Sequence, residues 1–107
     1  MKLLMAILAV ALSSSAMARG DAESGKAKAA QVCAACHGAD GAKPSAPDQP
    51  VLAGQYYDYL VRALSDYKAG HRANPIMKAF AAQLSKQDIE DLAAWFSSQK
   101  SALHDQR

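Results

Sequence analysis

Two cysteines three positions apart with a histidine directly after the second, Cys33-Ala34-Ala35-Cys36-His37, constrain this chain more than any other stretch. Covalent attachment of haem c requires this pattern. On a helical turn Cys33 and Cys36 lie on one face, so each thiol can add across one haem vinyl group. His37 follows one turn after Cys33 and reaches the iron. A chain carrying such a group must fold around it.

A CxxC pair also occurs in zinc sites, in thioredoxin-like redox sites and in plain disulfides. A structural zinc site needs four ligands, and only His71 and His104 could join the two cysteines, at a spacing that fits no zinc pattern. A redox CxxC follows a strand in a βαβ unit, and no strand pattern is visible. A disulfide in an exported protein stays open as the alternative to haem.

The N-terminus has Lys2, an apolar run from Leu3 to Leu12, small polar residues at Ser13–Ser15, and then Ala16-Met17-Ala18. These residues, 1–18, read as a cleaved signal peptide ending in an A-x-A site. The expected mature domain is residues 19–107, one small unit outside the cytoplasm. The apolar run is too short for a membrane span, and no cysteine follows it to carry lipid, so no stable membrane anchor is expected. Haem c is attached after translocation in bacteria, which agrees with export.

Removing residues 1–18 takes Lys2 from the twelve basic residues and leaves eleven against ten acidic ones. Two ionised haem propionates would make the sum slightly negative, so nucleic acid is not an expected partner. Residues 19–107 hold nineteen alanines and only nineteen Val, Ile, Leu, Met, Phe, Tyr or Trp residues, and no large apolar side chain lies between Gly38 and Pro50. That core is thin for a stable domain. A buried haem would supply the missing apolar bulk.

The pattern is helical throughout. A first helix is predicted from a cap at Asp21 through an Ala-rich stretch into the Cys33–His37 turn, stopped by Gly38. Gly25 inside it costs stability, which implies a close neighbour. Residues 38–54 read as loop, with Pro44, Pro47 and Pro50. The next helix is predicted from Gln55 to Ala69, with a core stripe of Tyr56, Tyr59, Leu60, Ala63, Leu64 and Tyr67. Asn74-Pro75 opens a short helix toward Leu84 that carries Met77 in its first turn. Ser85 to Asp88 has the form of a capping box for a last helix from Lys86 to about Gln99, burying Ile89, Leu92, Ala93, Trp95 and Phe96.

The sixth iron ligand decides the chemistry, because an open position admits oxygen or peroxide whereas a filled one favours outer-sphere electron transfer. Met77 is the only methionine left once residues 1–18 are removed. A thioether is soft and neutral, favours ferrous iron and raises the potential relative to a second imidazole. Met77 as core filler, His71 or His104 as ligand, and an open or lysine-bound iron are the competing readings.

Taken together, Gly20-Asp21 through Gly25-Lys26, the Cys33–His37 motif with Gly38, Pro50–Gln55, Asn74–Met77 and Asp91–Trp95 resemble a bacterial class I cytochrome c. Among these the chain is most similar to single-haem carriers that look like one half of the diheme members. The resemblance implies an all-α fold of four to five helices around one covalently bound haem c, with the first and last helices crossing near a right angle. Gly25 would then admit Leu92 and Trp95. It implies axial ligation by His37 and Met77, thioether bonds at Cys33 and Cys36, a Pro50 carbonyl accepting from the free His37 ring nitrogen, and Leu52 packed on the haem. Ala29 departs from the family pattern, where a large aromatic is common, so the crossing would be looser or compensated by Trp95. With one haem motif in this sequence, a diheme function is not expected.

The function so implied is that of an electron carrier, not an enzyme, in the bacterial periplasm. It would move one electron at a time from a membrane-bound donor to a terminal oxidase or reductase. Near-neutral charge implies docking through a small apolar patch with little dependence on salt. Arg62 and Arg72 are possible propionate partners, although solvated surface positions describe them equally well. Two other functions stay open: a haem-bearing subunit of a periplasmic dehydrogenase, and a haem enzyme or gas sensor with an open iron.

Overall fold

The computed structural model describes residues 20–100. The expected signal peptide and His104 therefore lie outside the described residues. Among those described there are five helices and no strand: α1 Ala22–Val32, α2 Ala34–His37, α3 Tyr57–Ala69, α4 Pro75–Ala81 and α5 Lys86–Ser97. The expected all-α architecture is what forms.

The cap residues start each helix where the sequence places them. The Asp21 carboxylate accepts from the backbone N–H groups of Glu23 and Ser24, and Asn74 does the same for Ile76 and Met77 ahead of Pro75. Ser85 and Asp88 form a reciprocal capping box on α5. The Ser85 backbone N–H, with smaller help from Lys28 3.6 Å away, holds the Asp88 carboxyl below the usual aspartate range. A carboxyl lowered in the folded state contributes stability that is full above the unfolded pKa of about 3.9 and is lost as pH falls through the folded value. Asp88→Asn is expected to cost about 0.5 kcal/mol at pH 7, allowing for solvent screening, and nothing near pH 2. Melting curves at the two pH values check this.

Helix α1 packs most extensively on α5. An added Cβ at Gly25 would lie 1.9 Å from the Asp91 carbonyl oxygen and 2.9 Å from the Trp95 Cβ. Trp95 thus approaches Gly25 as expected, the Asp91 carbonyl comes nearest, and Leu92 beside it is fully buried in the core. The buried Asp91 carboxylate is satisfied: its Oδ1 accepts from the Asp21 backbone N–H at 2.7 Å and from Gln87 Nε2 at 2.8 Å. The start of α1 is thereby tied to α5. Ala29 is also fully buried here, in one cluster with Leu60, Leu84, Ile89, Leu92 and Phe96.

Four boundaries differ from expectation. A turn at Cys33 separates α1 from α2, so the motif is not one continuous helix. A turn closed by Gln55 N–H on the Leu52 carbonyl delays α3 to Tyr57. At the end of α4 the Gln83 and Leu84 N–H groups bond three residues back, to Phe80 and Ala81, and Lys68 Nζ donates to the Leu84 carbonyl. That tightening stops the helix at Ala81. Helix α5 ends at Ser97, with Ser98 as its cap.

The stripe assigned to the core on α3 divides. Leu60 is buried, and Tyr57, Val61, Leu64 and Tyr67 pack on the core, whereas Tyr56 and Tyr59 are 56% and 52% exposed. One apolar flank of α3 faces α5. The other, through Tyr59, Ala63 and Tyr67, lines a hollow.

Candidate functional site

Two hollows adjoin in the bowl formed by α2, the loop behind it, α3 and α4, with about 750 and 840 Å³ of empty space, counting the part open to solvent. Cys33, His37, Pro50, Leu64, Asn74 and Met77 line both, so they are two parts of one chamber. Val32, Cys36, Ile76, Phe80 and Leu84 complete one part; Leu52, Leu60, Tyr67, Leu92 and Phe96 are among those completing the other. Cys33, Cys36, His37, Pro50, Leu52 and Met77 all border this chamber, whereas Arg62 does not. His71 borders neither part.

His37 is 5% exposed, and its Nδ1 lies 3.0 Å from the Pro50 carbonyl oxygen. A carbonyl only accepts, so Nδ1 carries a proton and donates, and in the neutral ring the lone pair available to a metal is that of Nε2. The same bond fixes the ring plane and makes Nε2 more basic. Proline at position 50 holds this part of the loop extended. Leu52 is tied back by its N–H donating to the Gly41 carbonyl at 2.8 Å. The loop comes this close because Gly41 has no side chain: a Cβ there would meet Phe96 Cδ1 at 2.7 Å.

Cys33 and Cys36 are free thiols, not joined to each other. Burial, with Cys36 adding a smaller like-charge effect, pushes the Cys33 thiol up to about 11. Met77, half-buried in the first turn of α4, is set by the Asn74 cap, whose side chain accepts from the Met77 N–H at 3.1 Å. No group of three or more His, Cys, Asp or Glu side chains among the described residues could hold a metal ion alone. The donor set is thus two thiols, one imidazole and one thioether on apolar walls. Such soft donors around a wide apolar chamber fit an iron porphyrin and suit neither a hard cation nor a phosphate.

Sequence reasoning missed several chamber residues. Tyr59, read as core, and Ile76 and Phe80, given no role, all line the chamber, and Tyr67 packs on the core as read but lines the chamber too. The available signal was the breadth of the apolar surface on α3, which has Tyr57 and Val61 beside the Tyr59–Ala63–Tyr67 row. That is more apolar surface than one packing partner needs. No helix among the described residues is long and apolar enough to cross a membrane.

Comparison with known proteins agrees with this geometry. Cytochrome c4 of Pseudomonas aeruginosa is 50% identical over 100 residues, covering 92% of this chain and 49% of that protein. Cytochrome c-554(548) of Halomonas halodenitrificans is 42% identical over 84 residues, covering 76% of this chain and 99% of that protein. The crystal structure of reduced recombinant cytochrome c4 from Pseudomonas stutzeri superposes with a TM-score of 0.71 at 47% identity, over 78% of this chain and 47% of that one. The chain spans about half the length of these cytochrome c4 relatives and so resembles one of their domains. The profile described as cytochrome c matches residues 22–100, and the chain belongs to the cytochrome c family.

Proposed function

We propose that this chain is a periplasmic one-electron carrier, with a single haem c bonded to Cys33 and Cys36 and held axially by His37 and Met77. The observation that carries this reading is the meeting of both thiols, an imidazole with Nδ1 committed, and Met77 at one apolar chamber. When bound, haem c supplies a ferric/ferrous couple that accepts and releases one electron. The protein's own residues do the rest. Pro50 orients His37, while Leu52, Leu60 and Phe96 exclude water from one part of the chamber. Met77 offers a neutral soft donor that favours the ferrous state. With both axial positions filled by protein there is no place for a substrate to react, so the chain acts as a carrier and not as an enzyme.

Export rests on the leader-like composition of residues 1–18. The partners we propose are a membrane-bound donor and a terminal oxidase or reductase as acceptor. Ile76, 67% exposed, and Phe80, 39% exposed, border the part of the chamber that also holds Cys36. They offer an apolar docking rim beside the chamber. With eleven basic and ten acidic residues in 19–107, long-range steering is weak.

Two measurements on the purified holoprotein test this reading. Its reduced spectrum should be that of low-spin haem c, with no rapid binding of carbon monoxide at neutral pH. Its electron-transfer rate constant with a membrane donor should change less than about twofold between low and high salt. A colourless protein, or a rate that falls steeply with salt, would count against it.

A further inference from the structure

Helix α4 carries Met77 yet is weakly anchored. Among the other helices it packs extensively only on α3. Of its seven residues only Ala81 is buried and Met77 is half-buried, while Pro75, Ile76, Lys78, Ala79 and Phe80 are exposed. A helix this short does not hold its shape in water by itself. Each end is gripped by a side chain instead. At the start, Asn74 Oδ1 accepts from the Ile76 and Met77 N–H groups, both at 3.1 Å. Beyond the other end, Lys68 in the last turn of α3 donates through Nζ to the Leu84 carbonyl and reaches the Ala82 carbonyl at 3.5 Å. Lys68 takes part in neither ion pair of the described residues, Lys28–Asp88 and Arg62–Asp66, so its charge is directed at the backbone that follows α4.

We propose that Asn74 and Lys68 are positioning residues for the sixth iron ligand, an inference that rests on the Met77 reading above. The two grips set how often α4 opens locally and hence how often Met77 leaves the iron. Opening exposes little apolar surface beyond Ala81 and part of Met77, so packing opposes it weakly and the end contacts carry a large share of the resistance. The Asn74 bond acts on the Met77 backbone itself, one turn from the thioether. The Lys68 bonds act from α3, which is fixed to the core through Leu60, and so tie the mobile end of α4 to a firm one. A soft thioether holds ferric iron less firmly than ferrous iron, so the grips matter most in the oxidised carrier.

The probe is imidazole added to the ferric holoprotein, its binding followed by loss of the sulfur-to-iron band. Binding waits on opening, so its rate constant reports the open population. Asn74→Ala should raise that rate about fivefold, the usual worth of a helix N-cap. Asn74→Ser and Asn74→Asp can still cap and should return it close to the unaltered value. Lys68→Met should raise it roughly two- to threefold, because an exposed charge is partly screened. Asp21→Ala removes the cap of α1 instead, and should lower the melting temperature as much as Asn74→Ala while leaving the imidazole rate unchanged. Rates that rise equally in Asn74→Ala and Asp21→Ala, or that stay high in Asn74→Ser, overturn the proposal by showing only a general loss of stability. Amide hydrogen exchange needs no variant, so it decides even if Asn74→Ala does not fold. In the unaltered holoprotein the Ala81 and Ala82 N–H groups should exchange faster than those of Leu92 and Ala93 in α5, and equal protection overturns the proposal. An unaltered protein that lacks the sulfur-to-iron band overturns the Met77 reading itself, whereas one with the band and with rates unmoved by the variants overturns the two grips alone.

Discussion

Gly25→Ala is expected to destabilise the protein by about 3 kcal/mol, even though the same exchange within an ordinary helix stabilises by about 1 kcal/mol. The new methyl would sit 1.9 Å from the Asp91 carbonyl oxygen, which is backbone and cannot turn aside as a side chain would. Moving α5 away would also loosen the bond from the Asp21 N–H to the Asp91 carboxylate, which is buried and would be left partly unsatisfied. For a domain of this size such a loss lowers the melting temperature by roughly 12–24 °C. Ala30→Gly, at an exposed position on the same helix, should cost only about 1 kcal/mol. If Gly25→Ala melts at or above the temperature of the unaltered holoprotein, the close crossing of α1 and α5 is wrong.

Met77→Ala is expected to change the chemistry more than the fold. The residue is half-buried on a seven-residue helix that keeps its Asn74 cap, so truncation leaves α4 in place. The sulfur-to-iron absorption band should vanish, and carbon monoxide should bind the reduced protein rapidly. The reduction potential should fall by on the order of 0.1 V or more, since the thioether is what favours ferrous iron. His71→Gln, by contrast, should leave band and potential alone, because His71 lines neither part of the chamber. A sulfur-to-iron band that survives Met77→Ala would remove Met77 from the site.

Much of this was legible in the residues because the clearest signals were chemical or local. The spacing of Cys33, Cys36 and His37 is set by covalent chemistry, and the caps at Asp21, Asn74 and Ser85 act within a single turn. Helix ends were harder. The turns at Leu52–Gln55 and Ala81–Leu84 depend on bonds to residues distant in sequence, such as Gly54 N–H to the Phe96 carbonyl and Lys68 Nζ to the Leu84 carbonyl. The role of Tyr59 and Tyr67 was illegible for another reason. Helical periodicity reports that a face is apolar, not whether a neighbouring helix or a bound ring covers it. The different surroundings of Arg62, paired with Asp66, and Arg72, over the Tyr67 ring, could not be told by spacing either.

The loop from Gly38 to Gly54 has its shape written in the main chain. Ser45 N–H reaches the Cys36 carbonyl, Leu52 and Ala53 both donate to the Gly41 carbonyl, and Trp95 Nε1 reaches over to the Ala39 carbonyl at 3.0 Å. Its own side chains add short-range bonds, Asp40 Oδ1 accepting from the Ala42 N–H and Gln49 Oε1 accepting from Ser45 Oγ and the Ala46 N–H, while Ala39, Lys43, Pro47 and Asp48 are exposed. Such a segment tolerates sequence drift while its path is preserved. Surface character beside the redox centre can therefore be rewritten, toward acidic, basic or greasy, to suit a new acceptor without disturbing the machinery that holds the iron.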